Sequence, residues 1–113
     1  MQPDSRKLLS DALHAADTIK AFTDGKSMLD LTTDELLRSG VYWQFAIIGE
    51  ALSQLQKTDA ATFQRISECR RIVGFRNQIV HGYSVIDDTV TWQIIQDKLP
   101  IVHRELGSLL KER

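Results

Sequence analysis

An arginine, an amide, a histidine and a phenol stand within eight residues of one another, at Arg76, Asn77, His81 and Tyr83. Histidine titrates near neutral pH and can move protons, and arginine offers a planar, permanently charged fork of donors to an anion. Asn77 and His81 are four residues apart and share one helix face, so the amide could hydrogen-bond the imidazole and fix its tautomer. No other stretch of the sequence gathers so many groups suited to acid–base and anion chemistry.

Cleavage of RNA fits this set, because RNA supplies its own nucleophile, the 2′-hydroxyl. The protein then needs a group that moves protons and a fixed cation where charge develops on the phosphorus. The expected products are a 2′,3′-cyclic phosphate and a 5′-hydroxyl. A metalloenzyme is disfavoured, because His14, His81 and His103 have no carboxylate or cysteine at ligand spacing. Arginine–histidine pairs are also common in structural roles, so these residues alone do not decide the function.

Arg76 and His81 are five residues apart, which is about 140° around an ideal helix. One regular helix would therefore not point both side chains at one atom. Either the helix ends near Val80 and His81 turns back, or the working site combines residues of two chains. Both arrangements are open at this point.

The composition bounds the class of protein. The chain has 113 residues, enough for a single domain over residues 1–113 with its own core, and 42% are hydrophobic and 26% charged. Helix-forming residues dominate, which predicts an all-α fold. The one cysteine, Cys69, excludes an internal disulfide and suits a reducing cytoplasm. We expect no membrane association, because no apolar run is long enough to span a bilayer and the N-terminus lacks a signal-peptide pattern.

The apolar periodicity predicts an up-and-down bundle of four main helices and one short extra helix. The first main helix covers residues 5–23, with Asp4 as N-cap and Gly25 just past its end, and a loop over 25–31 follows. Thr32 and Glu35 form a predicted capping box for the second, which reaches residue 56. The remaining predictions are a short helical piece at 63–67, a third main helix at 68–81 and a last one capped by Asp87 or Asp88. Pro100 should kink that last helix.

The second main helix is apolar nearly all round. One stripe, which we expect in the core, consists of Leu37, Val41, Phe45, Ile48, Leu52 and Leu55, and Tyr42, Trp43, Ala46 and Ile47 lie beside it. A helix exposed to water on one face would not have this pattern, so the helix either lies at the centre of the bundle or meets another chain with its second face. In so small a domain we expect the second arrangement, a homodimer. Gly49 is unfavourable inside a helix, which predicts close helix packing there. Glu50 is either a solvated carboxylate or a partner for an arginine of the 76–83 stretch.

A local excess of positive charge precedes this stretch. The segment from 65 to 76 contains four arginines, Arg65, Arg70, Arg71 and Arg76, and one acidic residue, Glu68. The chain as a whole carries a net charge of −1 and has a pI near 6.3. The overall charge argues against a non-specific nucleic-acid binder, whereas the local cluster leaves room for an anionic ligand. Such clusters are usually solvated surface, and His14 and His103 are also expected to be surface or structural residues.

The pattern Arg76-x4-His81-x-Tyr83 resembles the HepT-like toxins of the HEPN superfamily. Ile47-Ile48-Gly49-Glu50-Ala51 resembles the second signature of that family, and the last helix with Trp92 and Leu99-Pro100 follows in the family's order. The likeness runs from Leu8 to about Leu106. One departure is Gly82, where many members have an acidic residue, and this puts substrate preference in doubt but leaves the triplet intact.

The resemblance implies a homodimeric, metal-independent endoribonuclease that acts as the toxin of a type II or type VII-like toxin–antitoxin system. Arg76 and His81 would be catalytic and Asn77 would support them. Glu50, by its place on the second main helix, is a candidate to contact Arg76 without touching the substrate. The partner implied is an MntA-like nucleotidyltransferase antitoxin, which uses ATP and Mg²⁺ to add AMP to a tyrosine, here Tyr83. The toxin itself would need no cofactor.

Two other interpretations are open. The chain could be a non-catalytic HEPN partner subunit of a nucleotidyltransferase complex, with the same residues stabilising the complex. It could also be a plain helical dimer in which Asn77 and His81 satisfy each other and Tyr83 packs on the last helix. Toxicity on expression without a partner would fit only the ribonuclease.

Overall fold

The structure is a computed structural model that describes residues 1–81 and 86–112. Its α-helices are α1 (Pro3–Thr23), α2 (Met28–Thr33), α3 (Glu35–Thr58), α4 (Ala60–Phe63), α5 (Cys69–His81), α6 (Asp88–Gln93) and α7 (Leu99–Lys111), and a π-helical segment (Ile94–Lys98) joins the last two. Neither described range contains a strand, which confirms the all-α, HEPN-like prediction. Within those ranges, no helix is long and apolar enough to cross a membrane.

The bundle is arranged around α3, which packs against α1 on one side and α5 on the other, while α1 also packs against α7. Ser5 at the start of α1 donates to Asp59, which follows the end of α3, at 2.7 Å. At the opposite end, the ring of Phe22 lies against Gly40 near the start of α3. The first two long helices are therefore antiparallel, as an up-and-down bundle requires.

The predicted core stripe of α3 is buried along its whole length, from Leu37 to Leu55. Phe45 at its centre meets Phe75 of α5 edge-to-face, with ring centroids 5.1 Å apart. This aromatic contact fixes the level at which α5 crosses α3. Phe22, near the end of α1, keeps 42% of its surface exposed.

Four predictions about the starts of helices are wrong, one of them the short piece expected at 63–67, which is α4 at Ala60–Phe63. Asp4 is not the N-cap of α1: Gln2 occupies that position, and Pro3 begins the helix where its missing N–H is no loss. The loop expected over 25–31 contains the start of α2, which Ser27 and Asp30 cap reciprocally. Asp34, not Thr32, then caps α3 through the backbone N–H of Leu37. Short polar side chains cap equally well at several neighbouring positions, so the sequence alone did not separate them.

The irregularity expected at Pro100 takes the form of the π-helical segment just before it. Leu99 donates its backbone N–H to the carbonyl of Ile94, five residues back, and Pro100 falls in the first turn of α7. Proline has no N–H to donate and clashes with the preceding turn, and a wider turn relieves both conflicts. The apolar side of this last helix remains in the core, with Ile94, Leu99 and Leu106 buried.

Candidate active site

Arg76 is placed by a close approach between two helices of the bundle. Gly49 of α3 lies against it: a Cβ atom at position 49 would stand 2.1 Å from the Cβ of Arg76 and 2.3 Å from its Cγ. No side chain other than hydrogen fits there, which confirms close helix packing as the reason for the glycine. The stem of Arg76 therefore runs across the backbone of α3.

The guanidinium of Arg76 is held by two side chains. Nη2 donates to Glu50 Oε2 at 2.5 Å and Nη1 donates to Asn77 Oδ1 at 3.0 Å. The Arg76 side chain is 21% exposed and that of Glu50 is 50% exposed, so the pair lies at the rim of the bundle. Nε of Arg76 is buried and has no hydrogen-bond partner among the described residues. These contacts use two of the five N–H donors of the guanidinium, so further donors remain for an anion.

His81 is the last residue of α5 and is exposed. The helix α5 ends at His81, one residue past Val80, so both arrangements considered above stay predictions. Arg76 is directed at α3, and a regular helix places His81 about 140° away from it. The bond predicted from Asn77 to the imidazole stays a prediction. Tyr83, together with Gly82, lies outside the described residues.

An open groove of about 790 Å³ runs beside Arg76, between α1, α3 and α5. Its walls include Leu8, Trp43, Ile47, Glu50, Arg76 and Val80. Trp43 is 67% exposed and Val80 is 50% exposed, so two large apolar side chains of the groove face solvent. The second apolar face of α3, inferred from its sequence, is therefore solvent-accessible in the single chain.

The contribution of α1 to this groove was missed by sequence reasoning. Asp4, Asp11 and His14 line its far wall. Asp4 was predicted to cap α1 and His14 to lie at the surface, because nothing in the sequence of α1 shows which of its faces lies near α3. His103 proves to be structural, since its Nε2 lies 2.5 Å from Asp17 Oδ1 and so links α7 to α1.

A second link that the sequence did not reveal ties α3 to the start of α6. The hydroxyl of Tyr42 donates to Asp88 Oδ1 at 2.5 Å, and Thr91 donates to the same hydroxyl at 3.3 Å. Partial burial, aided by the hydrogen bond to Asp88, raises the pKa of Tyr42 to about 12. This link fixes the start of α6 against α3.

The local basic cluster separates into two kinds of residue. Arg65 forms a salt bridge with Glu112, and Arg76 forms one with Glu50. Arg70 and Arg71 are exposed and make no hydrogen bond or ion pair within residues 1–81 and 86–112. In the same ranges, no three His, Cys, Asp or Glu side chains form a group that could hold a metal ion.

Comparison with known proteins gives one consistent answer. A protein of Methanocaldococcus jannaschii described as a candidate RNase is 26% identical over 103 residues, which is 91% of this chain and 94% of the relative. A candidate RNase of Caldanaerobacter subterraneus subsp. tengcongensis is 22% identical over 95% of both chains. A longer M. jannaschii protein, described as a gamma-glutamylcyclotransferase and candidate RNase, is 23% identical over 99% of this chain but only 50% of its own length.

No solved structure gives a significant match. The sequence pattern of the family described as "Ribonuclease HepT-like" matches residues 12–109, which include α3, α5 and the side chains of Glu50, Arg76 and His81. The chain belongs to the HepT-like ribonuclease family.

Proposed function

We propose that this chain is a metal-independent endoribonuclease in which Arg76 and His81 act together on the scissile phosphate. The observation that carries the proposal is the way Arg76 is held. Gly49 admits its stem, and Glu50 and Asn77 each accept one N–H, so the guanidinium is oriented before any substrate binds. A cation positioned in advance stabilises developing charge without reorganisation at the moment of reaction.

The chemistry follows from the remaining groups. An N–H donor of Arg76 would bind a non-bridging oxygen of the phosphate as the 2′-hydroxyl attacks the phosphorus. Histidine would take the proton of the 2′-hydroxyl or protonate the departing 5′-oxygen. The bond from phosphorus to the 5′-oxygen breaks, which leaves a 2′,3′-cyclic phosphate and a 5′-hydroxyl. None of these steps requires a metal ion.

The working site would be shared between two copies of the chain. Arg76 is turned toward α3 and the groove, whereas His81 lies on another side of α5, and the helix does not bend between them. A two-fold axis through the groove would cover Trp43 and Val80 and would bring the His81 of one protomer toward the Arg76 of the other. The exposed apolar walls of the groove support this homodimer.

The biological role we propose is that of a toxin in a type II or type VII-like toxin–antitoxin system. The antitoxin would be an MntA-like nucleotidyltransferase that uses ATP and Mg²⁺ to add AMP to Tyr83, which is two residues from His81 in the sequence. An adenylate there adds bulk and negative charge beside a phosphate-binding site, and both would exclude RNA. A reducing cytoplasm suits Cys69, whose burial raises the pKa of the thiol to about 12 and keeps it unreactive.

Expression of the wild-type chain and of His81→Ala in cells that lack any partner tests the proposal. We expect growth arrest and fragmented RNA with the wild type, and neither with the variant. Purified wild type should leave 2′,3′-cyclic phosphate ends in the presence of EDTA. Normal growth and intact RNA with a folded wild-type protein would contradict the ribonuclease and favour the non-catalytic partner subunit.

A further inference from the structure

One face of α5 forms an uninterrupted path from its start to His81. Arg70, Gly74, Asn77 and His81 follow one another at spacings of four, three and four residues and are all exposed. Eleven residues make about three turns, so Arg70 lies about 16 Å from His81 on nearly the same side of the helix. Arg71 and Gln78, also exposed, flank this path.

The helix that carries this face has a net positive charge, whereas the rest of the chain has a net negative charge. Between Cys69 and His81 the sequence holds three arginines and no carboxylate, so the other residues together carry −4, since the whole chain is −1. Arg76 is committed to Glu50, but Arg70 and Arg71 have no ion pair or hydrogen bond in the described ranges. Two unneutralised guanidinium groups on the same helix as a histidine form a local positive field on an otherwise acidic protein.

Gly74 lies at the middle of the path and has no packing role. A Cβ atom built there meets nothing within 4 Å, in contrast to the Cβ position of Gly49. Glycine is unfavourable in an exposed helix interior, so its presence is unexplained by the fold itself. A bare backbone at this point would let another backbone approach the helix closely.

We infer that this face of α5, carrying Arg70, Arg71, Gly74 and Gln78, binds the phosphate backbone of the RNA on one side of the cleaved bond. The inference rests on the proposed ribonuclease function and adds where the substrate lies. With stacked nucleotides about 3.4 Å apart, Arg70 would contact a phosphate about five nucleotides from the scissile one, or fewer in an extended strand.

The alternative route for RNA, along the groove, is less suitable. Its walls carry three carboxylates, Asp4, Asp11 and Glu50, against two cations, Lys7 and Arg76, and include apolar side chains that suit a protein surface. Arg70, Arg71, Gly74 and Gln78 do not line the groove. The two surfaces can therefore be occupied at once, the groove by a second copy of the chain and the α5 face by RNA.

Binding of a 2′-O-methyl RNA of about 12 nucleotides, which lacks the nucleophile, measures this surface independently of cleavage. The test variant is Arg70→Gln with Arg71→Gln. The matched control is Lys20→Gln with Arg104→Gln, which removes two exposed charges from α1 and α7. Glutamine keeps the helix propensity of arginine and lysine, so both variants should fold.

Fluorescence anisotropy is recorded for each protein as the salt concentration rises. The plot of log affinity against log salt should become shallower by about 1.4 for the test variant, because two phosphate contacts in a single strand are lost. The ratio of the wild-type affinity to the affinity of the test variant should then fall about sevenfold between about 50 and 200 mM salt. The control variant should keep the wild-type slope.

Gly74→Glu and Gly74→Gln provide a second comparison. Both place a side chain of the same size in open space, and they differ only in charge. We expect the glutamate variant to bind RNA about tenfold more weakly than the glutamine variant, because like charges would face each other. Equal affinities of these two variants would overturn the inference.

If the arginine variant keeps the wild-type slope of log affinity against log salt, the inference is also overturned, whether or not the protein cleaves RNA. Wild-type protein that binds RNA on this face without cleaving it would contradict the proposed ribonuclease and leave the binding surface standing. Wild-type protein that neither binds nor cleaves RNA would overturn both.

Discussion

Gly49 on α3 lies against the base of Arg76 on α5, so that a Cβ atom at position 49 would stand 2.1 Å from the Cβ of Arg76. The contact involves the first atoms of the side chain and not its mobile end. Arg76 therefore cannot move aside unless α5 itself moves. The position of the guanidinium is coupled in this way to the packing of α3 on α5.

Replacing Gly49 by alanine should push the two helices apart. Overpacking costs about 1–3 kcal/mol, and the gain in helix propensity is the same as at any interior glycine. Gly107→Ala on α7 is the matched control, because a Cβ there meets nothing within 4 Å. Urea unfolding should give Gly49→Ala a free energy of unfolding lower than that of Gly107→Ala by about that amount. Equal stabilities would contradict the tight contact.

Glu50→Gln should weaken the hold on Arg76 and leave the fold intact. A half-exposed ion pair contributes only about 0–1 kcal/mol to stability, whereas loss of a charge-assisted hydrogen bond to a catalytic arginine should slow cleavage about tenfold. Glu112→Gln, which breaks the exposed pair with Arg65, is the control. We expect cleavage rates that differ between the two variants and unfolding midpoints that do not. A wild-type rate for Glu50→Gln would show that Glu50 has no part in orienting Arg76.

A site shared between two chains predicts that two inactive variants restore each other. In a dimer of one Arg76→Ala chain and one His81→Ala chain, one of the two sites would hold both intact residues. Random mixing of equal amounts should recover about a quarter of the wild-type activity. Each variant alone should stay inactive. Failure of the mixture to recover activity, with mixed dimers demonstrated by differential tagging, would place both residues of a site in one chain.

Trp43→Glu should disrupt the proposed homodimer by placing a charge in the groove. Burial of a carboxylate without a partner is costly, so the variant should remain monomeric at concentrations where the wild type is dimeric. Leu36→Glu is a stringent control, because Leu36 is even more exposed, at 84%, and does not line the groove. Light scattering after size exclusion would report both masses. A dimeric Trp43→Glu protein would move the interface elsewhere.

Tyr42→Phe should lower the free energy of unfolding by about 1 kcal/mol at neutral pH, since the hydrogen bond to Asp88 is lost. The pKa of Tyr42 is raised in the folded state from 10.0 to about 12, so the phenol stabilises the fold while it is protonated. That contribution is complete below pH 10 and is lost as the pH rises toward 12. Urea unfolding from neutral pH to about pH 11 should show the two proteins converging above pH 10. A difference that stays constant with pH would contradict the shift.

Much of the fold could be read from the sequence, because helical periodicity is a local property. The stripe from Leu37 to Leu55 is buried as its spacing predicts, and the third helix ends at His81. Gly49 could be identified as a packing site because a glycine inside an apolar helix needs such a reason. The helix starts were placed less well, because Asp4, Thr32 and their neighbours are interchangeable as caps.

The sequence by itself determined the helical class, the family likeness and the residues able to do the chemistry. Tertiary structure decided their relations: that Glu50, and not another carboxylate, meets Arg76, that Tyr42 meets Asp88, and that Asp11 and His14 face the same groove as Trp43. These contacts join residues far apart in the chain, and they depend on which faces of two helices meet and at what level. The periodicity of either helix alone carries no information about that level, because every turn of a helix presents an equivalent face.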